Sequence, residues 1–576
     1  MKRFGPEMPT AGARSGYTWM MVSKKRIAQA LQKALAKLDI EAEPHLEFPA
    51  ELAHGDYATN VALAATKAAR MNPRALAEKL VAELGEIDGV TKIEIAGPGF
   101  INFHLSRDAF SDSVSQIIKN EKDWGKNDSL KGKKIIVEYA QPNPFKPFHI
   151  GHLMSTAVGE AISRFVEASG ADVFRANYQG DIGPHVAKCI WGLRKEHLDP
   201  ANVDDLGKAY VIGNSAYEDS PEAKAEIDEL NKRLYEKDSS LQEIYDAGRE
   251  TSLKHFDKLY AVLGTRFDRL FFESETAGPG VTLVKEGLKK GIFEESDGAV
   301  VYKGEKAGLH TRVFITSKGT PTYEAKELGL AEEKEKAFAY DLNVTTVAVE
   351  QDGYFKVVEA ALAELRPEMR GRYTHVAFGL LQLTSGKMSS RKGNIITGES
   401  LIEEMRAKAF AKMEGREFSS EAEKERVADQ VAVAAIKYSI LKQATGKNII
   451  FDPEASLSFE GDSGPYLQYS YVRARSVLEK AGSSKRGAND APETVSVFER
   501  LLPRFPDIVL RAEKESQPHF VTTYLTELAS AFNSWYAGER IIGAEHEAYK
   551  LALTQAFATT MQNGLWLLGI EVPKKM

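Results

Sequence analysis

A single cysteine, Cys189, stands in a chain of 576 residues. No disulfide can form within the chain, and a cysteine-based zinc ribbon or iron–sulfur cluster is excluded; Cys189 itself reads as a small buried apolar residue. No run of about 18 apolar residues occurs, which argues against a membrane-spanning helix. A basic excess is missing as well: 75 Lys and Arg against 82 Asp and Glu leave a net charge of −7. A histone-like positive coat is thereby ruled out, while a local basic surface for nucleic acid is not. No repeat with a period of about 20–50 residues is found. What remains is an ordinary globular balance, 43% hydrophobic and 27% charged, unlike a collagen-like, mucin-like or disordered chain. The length sets a prior of roughly three to four domains.

The first residues, MKRFGPEMPTAGARSGYTWMM, are basic, rich in Gly and Pro, and without the apolar core of a secretory signal. They read as a flexible tail over 1–21, an organellar transit segment and a start at Met20 or Met21 being the alternatives. A small α/β unit follows. Ile27, Leu31 and Leu35 repeat at helical spacing. A second helix is expected over 57–70, and Pro73 opens a third over 74–84. VTKIEIA and GFINFHL alternate as strands of a hairpin around Gly97-Pro98-Gly99. The charged stretch 120–134 reads as a linker.

Next comes KIIVEYA, apolar enough to be a strand buried on both faces. The Pro-rich loop QPNPFKPF leads into a helix starting near His149–His152, with Leu153, Ala157, Ala161 and Phe165 on one face. ADVFRANY forms a second strand, completing a βαβ unit and implying a parallel sheet. Residues from about 196 to 308 are charged and helical and read as an insertion. The α/β pattern is expected to return at 312–315 and to continue through strand 343–349, helix 355–365 and strand 373–379. Beyond about Leu401 all is expected to be helix.

Two motifs carry chemistry. In His149-Ile150-Gly151-His152 the imidazoles share one face of a helix start. Gly151 lets a flat or bulky group approach the backbone, and the free N–H groups there suit phosphate. Two ordinary histidines near a helix cap would give the same tetrapeptide, but a buried strand before it and a βαβ helix after it match a mononucleotide site. The second motif, Lys387-Met388-Ser389-Ser390-Arg391-Lys392-Gly393-Asn394, places three cations and two hydroxyls in a loop able to hold a triphosphate and offset charge as pyrophosphate leaves. A solvated basic loop is its plainer meaning.

Together the motifs resemble the HIGH and KMSKS signatures of class I aminoacyl-tRNA synthetases. The resemblance sharpens to the arginyl-tRNA synthetases and spans nearly the whole chain: VEYAQPNPFKPFHIGHL, RANYQGDIG, HGDYATN, AGPGFINFHL, LSFEGDSGPYLQYSYVRARSVL and LGIEVPKKM are all similar to segments of that family, in order. It implies an α/β fold with a Rossmann-type parallel-sheet catalytic domain over 109–405, its helical insertion near 196–308, a small α/β domain over 22–108 that meets the tRNA elbow, a helical linker or stem-contact region over 406–455, and an all-helical anticodon-binding domain over 456–576.

The implied reaction is ATP-dependent attachment of L-arginine to its tRNA through an arginyl-adenylate. The resemblance assigns Glu138, Asn143, Tyr323, Glu327 and Gln351 to the arginine pocket. A guanidinium is planar, permanently charged and rich in donors, so paired carboxylates at 138 and 327 suit it. The family often has Asp where Glu327 stands. His149, Gly151, His152, Lys387 and Met388 are assigned to ATP, and His149, His152, Lys146, Lys387, Ser389 and Arg391 to catalysis. Ser390 occupies the place of a second lysine in the general class I pattern; Lys146, with Arg391 and Lys392 as runners-up, is the candidate to supply that charge. Phe100 and Asn102 are candidate contacts to the tRNA elbow, and Tyr466, Arg473 and Trp535 to the anticodon, although aromatic residues at such spacing are more often core. Mg²⁺ is expected with ATP, with no zinc or other protein-held metal. A monomer in the cytoplasm is expected. A synthetase of another specificity, a cytidylyltransferase and a non-catalytic tRNA-binding relative are the alternatives.

Overall fold

The computed structural model describes residues 19–49, 51–384 and 397–576. Residues 1–18 of the tail expected over 1–21, and the second motif, with Lys387, Met388, Ser389, Ser390, Arg391 and Lys392, lie outside the described residues. The first helix begins at Trp19, so the last three residues of the expected tail are helical instead. The chain divides into two units: Met1–Asp128 with Ser470–Ile508 and Tyr524–Asn563, and Ser129–Tyr469 with Val509–Thr523 and Gly564–Met576.

In the first unit, Ile27, Leu31 and Leu35 are fully buried in a core shared with Leu76, Leu80, Ile101, Phe103 and Phe110. Asn72 caps the Pro73–Leu84 helix through the Arg74 N–H, as Pro73 implied. The hairpin forms as β2 (Val90–Ala96) and β3 (Phe100–Leu105), paired antiparallel. The helix expected over 57–70 is corrected: Tyr57–Thr59 is a strand, β1, paired with β3, and only the two short helices Val61–Ala64 and Thr66–Ala69 follow. Asp56 explains the difference. Its Oδ2 accepts the Leu105 N–H at 2.8 Å and its Oδ1 lies 3.3 Å from Arg500, which ties the start of β1 to the end of β3.

The second unit is built on a five-stranded sheet, all parallel, in the order β11-β10-β4-β5-β6. Its strands are β4 (Lys134–Glu138), β5 (Asp172–Gln179), β6 (Arg269–Phe272), β10 (Leu342–Ala348) and β11 (Tyr373–Phe378). The expected βαβ unit is there, with the Ile150–Ala168 helix between β4 and β5. Three expectations need correction. The span 196–308 is not one helical insertion, because Arg269–Phe272 joins the main sheet, driven by the fully buried Phe271. Arg312–Ile315, as β9, belongs instead to an antiparallel sheet with β7 (Glu294–Ser296) and β8 (Ala299–Tyr302). Beyond Leu401 the chain is not wholly helical, since β13 (Ile449–Phe451) pairs with β12 (Leu381–Leu383).

Behind the sheet, two cations gather main-chain carbonyls from the same two stretches. Arg164 donates to Gly264 O at 3.0 Å and Trp566 O at 2.7 Å. Lys437, 1% exposed, donates to Leu263 O at 2.6 Å and Gly569 O at 2.5 Å. Glu160 supports this clamp, accepting from Arg164 Nε at 2.6 Å, Tyr139 OH at 2.7 Å and Thr265 Oγ1 at 2.7 Å.

Candidate active site

Strand order reverses between β4 and β10, and in open α/β sheets the ligand crevice lies at the carboxyl ends of the strands at such a point. The loop after β4 is held there under strain. Ala140 and Gln141 both take left-handed backbone, φ 72° and 55°, which costs residues with a side chain. Ser155 Oγ accepts the Ala140 N–H at 2.9 Å, and Asn177 Oδ1 accepts the Gln141 N–H at 3.1 Å. Phe145, fully buried and also at positive φ, donates its N–H to Ser252 Oγ at 3.0 Å. Asn143 Oδ1 accepts the Gly180 N–H at 2.8 Å, which joins this loop to the end of β5.

The two histidines of the first motif cap the helix that follows. His149 Nδ1 accepts the Gly151 N–H, and His152 Nδ1 accepts the His149 N–H, each at 3.1 Å. A Cβ at Gly151 would fall 2.9 Å from His149 Cε1, so the missing side chain makes room for the His149 ring. With both Nδ1 atoms accepting, a neutral imidazole at either position carries its proton on Nε2 and can donate it. Desolvation and then the Lys146 ammonium press His149 down to about 4. Burial, then His149 and Lys146, push His152 well below the ordinary imidazole range. Both rings are therefore neutral donors near pH 7. Lys146 is half-buried, its ammonium 5.3 Å from the Tyr210 ring centroid, and burial followed by Lys188 lowers its pKa. Thr397, the first described residue after the second motif, bridges to His149, and the Gly398 N–H donates to Phe148 O at 2.7 Å. The chain thus returns from the second motif to the first.

The expected arginine residues come from three stretches, Asn143 lying in the loop that follows Glu138. Glu138 ends β4 and is 1% exposed; it accepts from Gln141 Nε2 at 2.7 Å and is ion-paired with Lys334. Tyr323 and Glu327 lie on the Tyr323–Ala337 helix, and Tyr323 is 60% exposed. Gln351 follows β10 and accepts the Ala348 N–H at 3.3 Å. Burial first, then Glu138, Glu273 and Glu324 against the opposing Lys334, push the Glu327 carboxyl up to about 8. Among the described residues Glu327 makes neither a hydrogen bond nor an ion pair.

Residues absent from the sequence reading also enter. Glu273, just after β6, pairs with Lys326 at 2.5 Å. Tyr178 and Tyr354 both feel the Glu327 charge, and burial raises both phenols well above their usual range. Lys334 was open to discovery by helical spacing, since it shares a face with Tyr323 and Glu327. Glu273 was not, because the strand before it went unrecognised.

The expected tRNA residues are more varied. Phe100 is half-buried at the start of β3, and Asn102 is 4% exposed inside that sheet. Tyr466 is half-buried near the start of the Gly464–Ala481 helix. Arg473 donates to Asn533 Oδ1 at 2.7 Å and lies over Tyr536. The half-buried Trp535 packs on Phe498, ring centroids 5.3 Å apart.

The profile described as "tRNA synthetases class I (R), catalytic domain" matches residues 113–453. "Arginyl tRNA synthetase N terminal domain" matches 22–105 and "DALR anticodon binding domain" 467–576. The chain belongs to the arginyl-tRNA synthetases. The arginine–tRNA ligase of Clostridium botulinum (strain Alaska E43 / Type E3) is 32% identical over 569 residues, 96% of this chain and all of that one. That of Streptococcus suis (strain 05ZYH33) is 32% identical over 571 residues, with the same coverage. The Thermus thermophilus arginyl-tRNA synthetase structure superposes with a TM-score of 0.81 at 25% identity, over 96% of this chain and 100% of that one. A Plasmodium falciparum arginyl-tRNA synthetase shares the fold, with a TM-score of 0.79 at 22% identity over 96% and 99% of the two chains.

Like the family, this chain is a ligase that attaches arginine to tRNA and uses ATP as a substrate. A synthetase of another specificity and a non-catalytic relative are not favoured. No helix among the described residues is long and apolar enough to cross a membrane.

Proposed function

We propose that L-arginine binds with its guanidinium against Glu327, in a pocket whose walls include Glu138, Tyr323, Asn143 and Gln351. The observation that carries this reading is the Glu327 carboxyl. Three other carboxyls act on it and it has no ion-pair partner among the described residues, so a permanently charged guanidinium is the complement it calls for. Asn143 and Gln351 orient the α-amino and carboxyl ends. ATP, with Mg²⁺ carried on its phosphate oxygens, lies over the start of the Ile150–Ala168 helix, where the Nε2–H groups of His149 and His152 donate to phosphate. Lys146, Lys387 and Arg391 balance phosphoryl charge, with Met388 and Ser389 lining the nucleotide.

The arginine carboxylate attacks the α-phosphate in line and pyrophosphate leaves; the terminal ribose hydroxyl of the tRNA then attacks the adenylate carbonyl, the acyl–phosphate bond breaks, and AMP leaves. No protein nucleophile takes part; positioning and charge stabilisation do the catalysis. Phe100 and Asn102 face the tRNA elbow in this reading, and Tyr466, Arg473 and Trp535 serve the anticodon. The enzyme acts as a monomer in the cytoplasm. Arginylation kinetics of Glu327→Gln test the pocket: the KM for arginine is expected to rise at least about tenfold with the KM for ATP unchanged. Equal changes in both would remove Glu327 from the arginine site.

A further inference from the structure

Three carboxyls act on Glu327, and each has its own basic partner. Glu138 pairs with Lys334, Glu273 with Lys326 at 2.5 Å, and Glu324 with Arg312 at 3.5 Å. Among the described residues Glu327 is the member of the set without one, so the pocket they form carries a single uncompensated carboxyl, matched to a single cation. Among the three carboxyls Glu138 acts on it most strongly. Lys334 is the residue that answers Glu138. It is 5% exposed or less, as are Glu138 and Asn343, and its ammonium also donates to Asn343 Oδ1 at 3.0 Å. Asn343 is in turn fixed by its own bond to Thr345 Oγ1 at 2.8 Å. The ammonium is therefore held by the sheet and is not free to follow a substrate.

We infer that Lys334 is the positioning residue of the arginine pocket: its ammonium fixes Glu138 and takes up that charge, so that Glu327 is the carboxyl the guanidinium meets. The inference rests on the pocket proposed above. Without Lys334, Glu138 and Glu327 would be two adjacent uncompensated carboxyls, and like charges that close hold a proton between them. The groups that face Glu327 are Glu138 on β4, Lys334 and Glu324 on its own helix, Glu273 at the end of β6, Tyr178 on β5, Tyr354 on the Asp352–Leu365 helix and Tyr373 on β11. No second ammonium among them stands ready to replace Lys334 beside Glu138.

The consequence is a pH signature. Guanidinium stays charged throughout, so arginine binds best when Glu327 is deprotonated, and kcat/KM for arginine climbs with pH until Glu327 has lost its proton. Measured with tRNA and ATP saturating, Lys334→Met is expected to move that climb upward by about one pH unit and to raise the KM for arginine at least about tenfold, while the KM for ATP stays put. Lys334→Arg should restore the wild-type profile. If Lys334→Met is too unstable to assay, the paired variant Glu138→Gln/Lys334→Met removes both charges together and should bring the climb back near its wild-type position. A climb left unmoved in Lys334→Met, or still displaced in the paired variant, overturns the role of Lys334. Glu327→Gln separates the two readings: it should abolish the climb, and if the climb persists the pocket assignment fails, whatever Lys334 does.

Discussion

The rings of His149 and His152 stack with centroids 3.5 Å apart and 21° between their planes, and each gives its Nδ1 to a backbone N–H of the same helix start. The pair is thus a rigid double donor, with Nε2 left for a ligand. Removing one such donor costs about 2.7–4 kcal/mol of barrier. His152→Ala is expected to slow adenylate formation about a hundredfold or more with tRNA affinity unchanged, as read by single-turnover kinetics. Because His149 is pressed down to about 4 and His152 lower than usual, the rate at saturating arginine should show no inflection at the ordinary imidazole value of about 6.5. A clear inflection there would mean that one of the rings titrates.

Glu138→Gln keeps the shape of the side chain and removes its charge. Lys334 is then buried without its carboxylate. Breaking one partner of a buried pair costs about 3–5 kcal/mol, so the variant should melt earlier than wild type and need far more arginine, with little change in the ATP requirement. Thermal melting and parallel KM values for the two substrates check this. A loss confined to ATP would place Glu138 elsewhere.

Lys146, half-buried and set between Pro144 and Pro147, is a cation whose charge acts on both histidines. Lys146→Ala is expected to lower adenylate formation about as much as a His149 variant, and Ser390→Lys to recover part of the loss. Should Lys146→Ala run at the wild-type rate while Arg391→Ala is crippled, the role passes to Arg391.

Lys437 offers a stability test. Burial, aided by Arg164 and opposed by Glu160 and Glu571, lowers it to about 7, whereas an unfolded lysine titrates near about 10.4. Between those values the unfolded chain holds the extra proton. The Lys437 contribution therefore rises with pH from about 7 to about 10 and is lowest below 7. Lys437→Met also orphans the carbonyls of Leu263 and Gly569, at about 1–3 kcal/mol each. The substitution should thus be more damaging at pH 9 than at pH 7, which melting temperatures at the two values will show.

Much of this molecule was legible from its residues. KIIVEYA had to be a central strand because it is apolar on both faces, and Leu153, Ala157, Ala161 and Phe165 on one face marked the helix that His149 caps. The failures share a cause. Arg269–Phe272, Tyr57–Thr59 and Ile449–Phe451 are three or four residues long, too short to show a period, and their partners lie far away in sequence. Arg312–Ile315 was read as a strand, but nothing in four residues says which sheet takes it. At the site, Glu138 and Glu327 come from the family resemblance, since Glu138 is a lone carboxyl in an apolar strand and Glu327 looks locally like one more charge on a solvated helix face. That Glu138 is answered by Lys334 and Glu327 by nothing depends on the fold bringing β4 against the Tyr323–Ala337 helix, which local pattern does not encode.

Arg164 and Lys437 grip main-chain oxygens at 263–264 and 566–569, and the one side chain among those they hold that Arg164 also meets is the Trp566 ring, 5.3 Å from its guanidinium carbon. Such a clamp is indifferent to most substitutions in what it holds. Relatives can drift at Leu263 without unpairing its oxygen, and a change at Trp566 loses only the ring under Arg164, whereas adding or deleting one residue between Trp566 and Gly569 would present the wrong oxygen to each cation. Gly569 is the exception, since its φ is +66° and a Cβ there would lie 2.8 Å from the Lys437 ammonium. Across relatives, then, the clamp should be traced by constant spacing between positions 566 and 569 and a fixed glycine, more than by the identity of the other residues it holds.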